Sequence, residues 1–243
     1  MLATLMRGFV SVALLWGWAR VALLIAAMWS GICRPHEVLQ ARRRNLILPS
    51  DANGSVKFAL LVIEKPKNRL RSSSPATESA RIDPQDLVAA LEVVYKDAEP
   101  DEPLWPGSSD TFRRRYREIG IWFGLKMLPS DSPSFGEKNE VLDLGSLRSG
   151  GATSLYMHTE SLPLVQGRGR WNDIRVMRIY LQEMQSTTFI TRQSTAVQSR
   201  IRAVDQVSDL IWAKSWRWIS AGTPPHRLPL KWRSFLSEQG AFG

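Results

Sequence analysis

The first 33 residues are almost wholly apolar. Only Arg7 and Arg20 interrupt them, leaving two runs of about a dozen apolar residues, below the roughly 18 needed to span a bilayer. This pattern predicts a buried helix, or a helical pair, feeding a soluble domain; a basic-flanked membrane anchor is the alternative, and "VALLIAAMW" its motive. Next, "CRPHEVLQARRRNLILP" reads as a turn, a short helix and a strand. "VKFALLVIEK", after the turn signal "DANG", is rich in β-branched and aromatic residues and reads as a strand. The polar "PKNRLRSSSPATE" fits an exposed hairpin tip, with "SARID" as the return strand.

From Pro84, "PQDLVAALEVVYKDA" places apolar residues at helical spacing, with Asp86 in an acidic first turn. "EPDEPLWPGSSD" is a loop whose Ser109 or Asp110 would cap the helix "TFRRRYREIGIWFGL". Downstream lie a small-residue helix around "SLRSGGATSLYMHT", a shorter one at "LPLVQGRG", and "GRWNDIRVMRIYLQE", whose Ile174, Met177 and Leu181 fall at i, i+3, i+7. "STAVQSRIRAVDQVSDLIWAKSWRWI" is again helical, and the Pro-rich "GTPPHRLPLKW" reads as irregular. The predicted class is α+β: mostly helical, with a small antiparallel β-sheet and a helical tail.

Composition narrows the partners. A length of 243 residues and 44% hydrophobic content suffice for a real core, and the net charge of +9 suits a polyanion such as nucleic acid or an anionic membrane surface. One cysteine, Cys33, excludes an internal disulfide and any multi-cysteine metal site; His36, His158 and His226 lack zinc-ligand spacing, so neither metal nor cofactor is expected. Cys33 reads as a buried small apolar residue. The triplets Arg42, Arg43, Arg44 and Arg113, Arg114, Arg115 read as solvated faces, or, in a DNA-binding domain, as phosphate contacts that position without specifying sequence.

Four polar segments are awkward in a purely structural reading: "CRPHEVL" with Arg34 and Glu37, "EKPKNR" with Lys67, "LRSGGAT" with Arg148, and "GRWNDIRVMRIY" with Trp171 and Tyr180. Taken singly, each has a plain alternative: Tyr180 and Trp171 as core aromatics, Arg34 as a helix-end arginine paired with Glu37. In this order they resemble the catalytic domain of tyrosine recombinases, the phage integrase family. "CRPHEVL" resembles its first arginine box and "LRSGGAT" its second. "GRW…Y" is similar to its closing Gly-His-x8-Tyr, with tryptophan in place of histidine and the same nine-residue step to tyrosine. The wording is closest to recombinases of DIRS-type retrotransposons, and the resemblance runs from Gly8 to Glu183.

The resemblance implies a catalytic domain over residues 1–185, without the family's N-terminal core-binding domain, and a helical C-terminal extension over 186–243. It implies breakage and rejoining of double-stranded DNA through a 3′-phosphotyrosyl intermediate. Tyr180 would be the nucleophile, Arg34 and Arg148 the phosphate clamp, Trp171 an indole N–H donor beside the phosphate, and Lys67 (Lys65 in reserve) the proton source for the leaving 5′-oxygen. A homotetrameric synaptic complex and an intracellular location, nuclear in a eukaryote, go with it. Arginine suits an anionic phosphodiester because its fork is permanently charged and bidentate. At the family's second histidine, three residues before Arg148, this chain has Gly145. A DNA-binding relic that cannot cut is therefore the second reading, and a membrane-associated basic protein anchored by residues 1–33 the third.

Overall fold

The computed structural model describes residues 1–64, 77–127 and 141–239. The apolar N-terminus forms two helices, α1 (Ala3–Leu15) and α2 (Ala19–Ser30), packed against each other in the centre of the molecule. They are buried on nearly every side, Leu5, Phe9, Leu14, Leu23 and Ile25 being fully enclosed. All-round hydrophobicity is what a central helix needs. The two interrupting arginines sit at the rim and find carboxylates there, Arg7 with Asp205 at 2.6 Å and Arg20 with Glu102 at 2.5 Å. Among the described residues no helix is long and apolar enough to cross a membrane.

A short helix α3 (Pro35–Leu39) follows, with Pro35 in its first turn, where no backbone N–H is needed. The sheet has three antiparallel strands in the order β1 (Leu46–Ile47), β2 (Ala59–Ile63), β3 (Glu78–Ile82). Its register pairs Ala59 with Ile82, Leu61 with Ala80 and Ile63 with Glu78. That puts alternate residues of both long strands on the core face and leaves Ser79 and Arg81 outside, as a period of two requires. The expected strands at "VKFALLVIEK" and "SARID" are thus present.

Helices α4 (Gln85–Tyr95), α5 (Ser109–Phe123), α6 (Gly145–Thr159) and α7 (Leu162–Gly169) lie where the apolar spacing placed them. The cap of α5 is Ser108, not Ser109 or Asp110: its hydroxyl accepts from the Thr111 N–H at 3.1 Å. Helix α8 (Ile174–Arg178) is shorter than its periodicity implied and stops before Tyr180. After α9 (Glu183–Thr188), the tail forms α10 (Thr195–Gln206), α11 (Ser208–Ser220) and α12 (Leu228–Glu238). Helix α12 corrects the irregular reading of "GTPPHRLPLKW". Pro229 occupies its first turn, where proline is tolerated, and Leu228 and Trp232 anchor it in the core. All three tail helices pack on α1 and share its core. A second, smaller cluster of Ile32, Ala152, Val165, Trp171 and Met177 forms beside it, and the candidate site lies at the seam.

Candidate functional site

Arg34, Arg148, Trp171 and Tyr180 come from four separate segments and meet at this seam. Arg34 caps α3, Arg148 lies in the first turn of α6, Trp171 follows α7 and Tyr180 follows α8. The Arg148 guanidinium carbon is 4.5 Å from the Trp171 ring centre and 5.8 Å from that of Tyr180, and the two rings are 5.0 Å apart. A guanidinium over a tryptophan face is an attractive cation–π arrangement.

Two helix ends hold Arg148 in place. Its Nη1 donates to the Ile32 carbonyl at 2.9 Å, just past the end of α2, and its Nη2 to the Gly169 carbonyl at 2.6 Å, the last residue of α7. Helix C-termini present unpaired carbonyls and partial negative charge, so a cation there is favoured twice over. Of the five N–H groups on the fork, two are used in this way, and the buried Nε–H has no partner among the described residues. Burial and the neighbouring Arg34 pull the Arg148 guanidinium down to about 10, so it stays charged at neutral pH. Ile32 reaches this position with φ of 49°, a left-handed conformation that a β-branched residue rarely adopts.

Glu37 is the shared counter-charge. Its Oε2 accepts from the Arg34 backbone N–H at 2.7 Å and from Arg170 Nη2 at 2.7 Å, and lies 3.8 Å from Arg148 Nη1; its Oε1 accepts from Arg34 Nη1 at 2.7 Å. The carboxylate is 1% exposed. Burial by itself would raise its pKa, but the Arg170 charge and the hydrogen bonds from Arg34 outweigh that and leave it lowered. Burial pushes the Cys33 thiol, next in chain to Arg34, up to about 12, which makes it a neutral filler.

The sequence reading missed Arg170 and Thr153. Arg170 ends α7 with φ of 57°, and its Nη1 donates to the Gly31 carbonyl at 3.3 Å while its Nε lies 3.5 Å from Glu78 of β3. Its signal was the second arginine of "GRGRW", one residue from the tryptophan. Thr153, the threonine of "GGAT", lies one and a half turns beyond Arg148 on α6. Its hydroxyl donates to the Ser149 carbonyl at 2.8 Å, lies 3.2 Å from the Tyr180 carbonyl, and accepts from the Gln182 N–H at 3.1 Å. Those contacts pin the chain just after Tyr180. The Tyr180 side chain is half-buried, and its hydroxyl makes no hydrogen bond among the described residues.

Two glycines make the geometry sterically possible. A Cβ on Gly169 would lie 1.6 Å from a Trp171 ring carbon, so only glycine lets the indole fold back over Arg148. A Cβ on Gly151 would lie 2.2 Å from the Trp29 carbonyl oxygen, so α6 rests directly on the backbone of α2. Gly145, where the resembled family carries histidine, is exposed in the first turn of α6, and its nearest neighbour would be the Asp143 carboxylate at 3.1 Å.

Lys67 and Lys65 lie outside the described residues. The connection that carries them leaves the sheet at the Ile63–Glu78 pair, and Glu78 is the residue beside Arg170. The two arginine triplets divide. Arg43 is 8% exposed, with Nε on the Tyr95 carbonyl at 2.5 Å, Nη1 on the Leu46 carbonyl at 2.6 Å and Nη2 on Asp51 at 2.6 Å. It is neither a solvated residue nor open to a phosphate, which corrects the reading of that run as one face. Arg42 donates to the Asp101 carbonyl, and Arg44 pairs with Asp101. Arg113 pairs with Asp110, Arg115 stacks over Trp18 and Trp105, and Arg114 is exposed and unpaired among the described residues. Among the described residues, no group of three or more His, Cys, Asp and Glu is placed to hold a metal ion. No protein-family model matches the chain, and no curated protein matches it significantly.

Proposed function

We propose that the chain breaks and rejoins double-stranded DNA through a tyrosyl intermediate, as the catalytic part of a site-specific recombinase of mobile-element origin. The observation that carries this reading is the meeting of Arg34, Arg148, Trp171 and Tyr180, four residues spread over nearly 150 positions, at one buried-to-exposed seam. In the reaction the Tyr180 oxygen attacks the phosphorus, forming a Tyr–O–P bond as the P–O5′ bond breaks. The phenolic proton passes to a base, and the leaving 5′-oxygen takes a proton from Lys67. Charge developing on the non-bridging oxygens is held by Arg34, with the buried positive charge of Arg148 behind it. Arg34, with 19% of its side chain exposed, is the guanidinium a phosphate meets directly; Arg148, 3% exposed, backs it from below the surface. The covalent link conserves the bond energy, so the 5′-hydroxyl of a second strand reverses the step without ATP. Double-stranded DNA is the partner, and a homotetramer on two duplexes the working assembly.

A nicked suicide duplex, from which the 5′-hydroxyl fragment diffuses away, tests the proposal on a denaturing gel. The expected outcome is a protein–DNA adduct lost in Tyr180→Phe; no adduct with any of a panel of random-sequence duplexes refutes strand breakage. The exposed Gly145 in place of histidine favours the second reading, a protein that grips DNA without cutting it. Salt-sensitive DNA binding with no adduct is its outcome.

A further inference from the structure

Ile32, whose carbonyl holds Arg148, also lines a cavity of about 420 Å³ between α1, α2, α6, α11 and the start of α4. Its walls are mainly apolar, with Val10, Trp29, Leu87, Leu155 and Trp212 among them. That volume and lining fall in the range of small-molecule sites. Ser11, on the buried face of α1, also lines it. The residue is only 2% exposed, and its hydroxyl makes no hydrogen bond among the described residues. A buried hydroxyl facing an open cavity without a partner is a group placed for a ligand or a water.

Charge selects the ligand. Two guanidiniums and three carboxylates line the cavity, and both guanidiniums are committed: Arg7 to Asp205 at 2.6 Å, Arg168 to Asp83 at 2.7 Å. Asp86 and Asp209, both exposed and both lining the cavity, have no ion-pair partner among the described residues. In a chain of net charge +9 this rim is locally acidic and would repel a phosphodiester. We infer that the cavity binds a small organic cation: an amine or guanidine on an aromatic or branched apolar body. The body packs between Trp29 and Trp212, the cationic head faces Asp86 and Asp209, and a polar atom of the ligand meets the Ser11 hydroxyl. This site is independent of the strand-breakage reading, uses none of Arg34, Lys67, Arg148, Trp171 and Tyr180, and stands or falls separately.

Three dansyl probes that share one fluorophore test it: dansylcadaverine (cationic), dansylamide (neutral) and dansylglycine (anionic), titrated into the full chain. Saturable dansylcadaverine emission with energy transfer from tryptophan is expected, with affinity about tenfold above dansylglycine, the ratio two partly exposed carboxylates supply. Asp86→Asn with Asp209→Asn, both at the surface, should reduce that ratio to about one and leave dansylamide binding unchanged. Leu155→Trp and Ser11→Leu fill the cavity from two sides, and either, once shown folded by circular dichroism, should abolish all three signals. The absence of saturable dansylcadaverine binding overturns the inference, as do equal affinities for cation and anion in the unmodified chain, or a preference that survives the double Asn substitution.

Discussion

Glu37→Gln isolates the electrostatics of the site with almost no change in shape. In the native protein three guanidiniums, those of Arg34, Arg148 and Arg170, converge on this one carboxylate, and Glu78 lies 3.5 Å from Arg170. Counting those five groups, the cluster carries +1 with Glu37 ionised and +2 with glutamine. Removing one partner of a buried pair costs about 3–5 kcal/mol. Glutamine still accepts from the Arg34 N–H, so the lower end applies and the expected loss at pH 7 is about 3 kcal/mol. Urea denaturation followed by tryptophan fluorescence measures it. The pH dependence supplies an internal control. The folded-state pKa of Glu37 is lowered, so its contribution is fully present above the unfolded carboxylate value of about 4.3 and is lost as pH falls through the folded value. The native protein and Glu37→Gln should therefore converge in stability in acid. Adding Arg170→Met should restore part of the loss, because the excess charge leaves with it. A deficit below about 1 kcal/mol at pH 7, or one undiminished in acid, would refute the shared-counter-charge argument.

Gly151→Ala should destabilise by about 1–3 kcal/mol, read from the same unfolding curves, because its methyl meets the Trp29 carbonyl rather than a movable side chain. Arg43→Met should cost about 2–4 kcal/mol by leaving two backbone carbonyls and Asp51 unpaired, with the salt dependence of DNA binding unchanged. Arg114→Gln should do the reverse, with unaltered stability and a salt slope smaller by about one. Gly145→His should fold normally, since its site is exposed, and should raise the yield of trapped adduct at least about tenfold if a proton-transfer group is what the site lacks.

Much of this fold could be read from periodicity. The central helical pair shows in its all-round hydrophobicity, and strands β2 and β3 and helices α4 and α5 in patterns of two or of 3.6, because each of these turns one face to the core. Where the reading failed, a long-range partner decided the outcome. Proline 229 looked like a breaker, yet it sits where a helix needs no N–H, and Trp232 holds that helix down. The apolar spacing through Leu181 promised a helix past Tyr180, but the helix ends at Arg178, and the Tyr180 carbonyl and the Gln182 N–H beyond it turn to the Thr153 hydroxyl. Arg43 looked identical to its neighbours, and nothing local said that its side chain turns inward to Tyr95 and Asp51. The meeting of Arg34, Arg148, Trp171 and Tyr180 was expected from the order of their motifs. The role of Arg170 was not, because it depends on Glu37, more than 130 residues earlier.

The direct seating of α6 on α2 divides the site into two halves of unequal stability. Arg34 and Arg148 belong to the half joined backbone to backbone through Gly151 and backed by the main core. Trp171 and Tyr180 belong to the small cluster, tied across by Thr153 and by the Arg148 fork. Local opening draws on the part with fewest buried contacts. Slow exchange of backbone amides should therefore persist through α2 and the first turns of α6 long after α8 and α9 have exchanged. The half with Tyr180 should then open first while the arginine half keeps its shape, so breathing of the protein would displace Tyr180 and not Arg34 or Arg148.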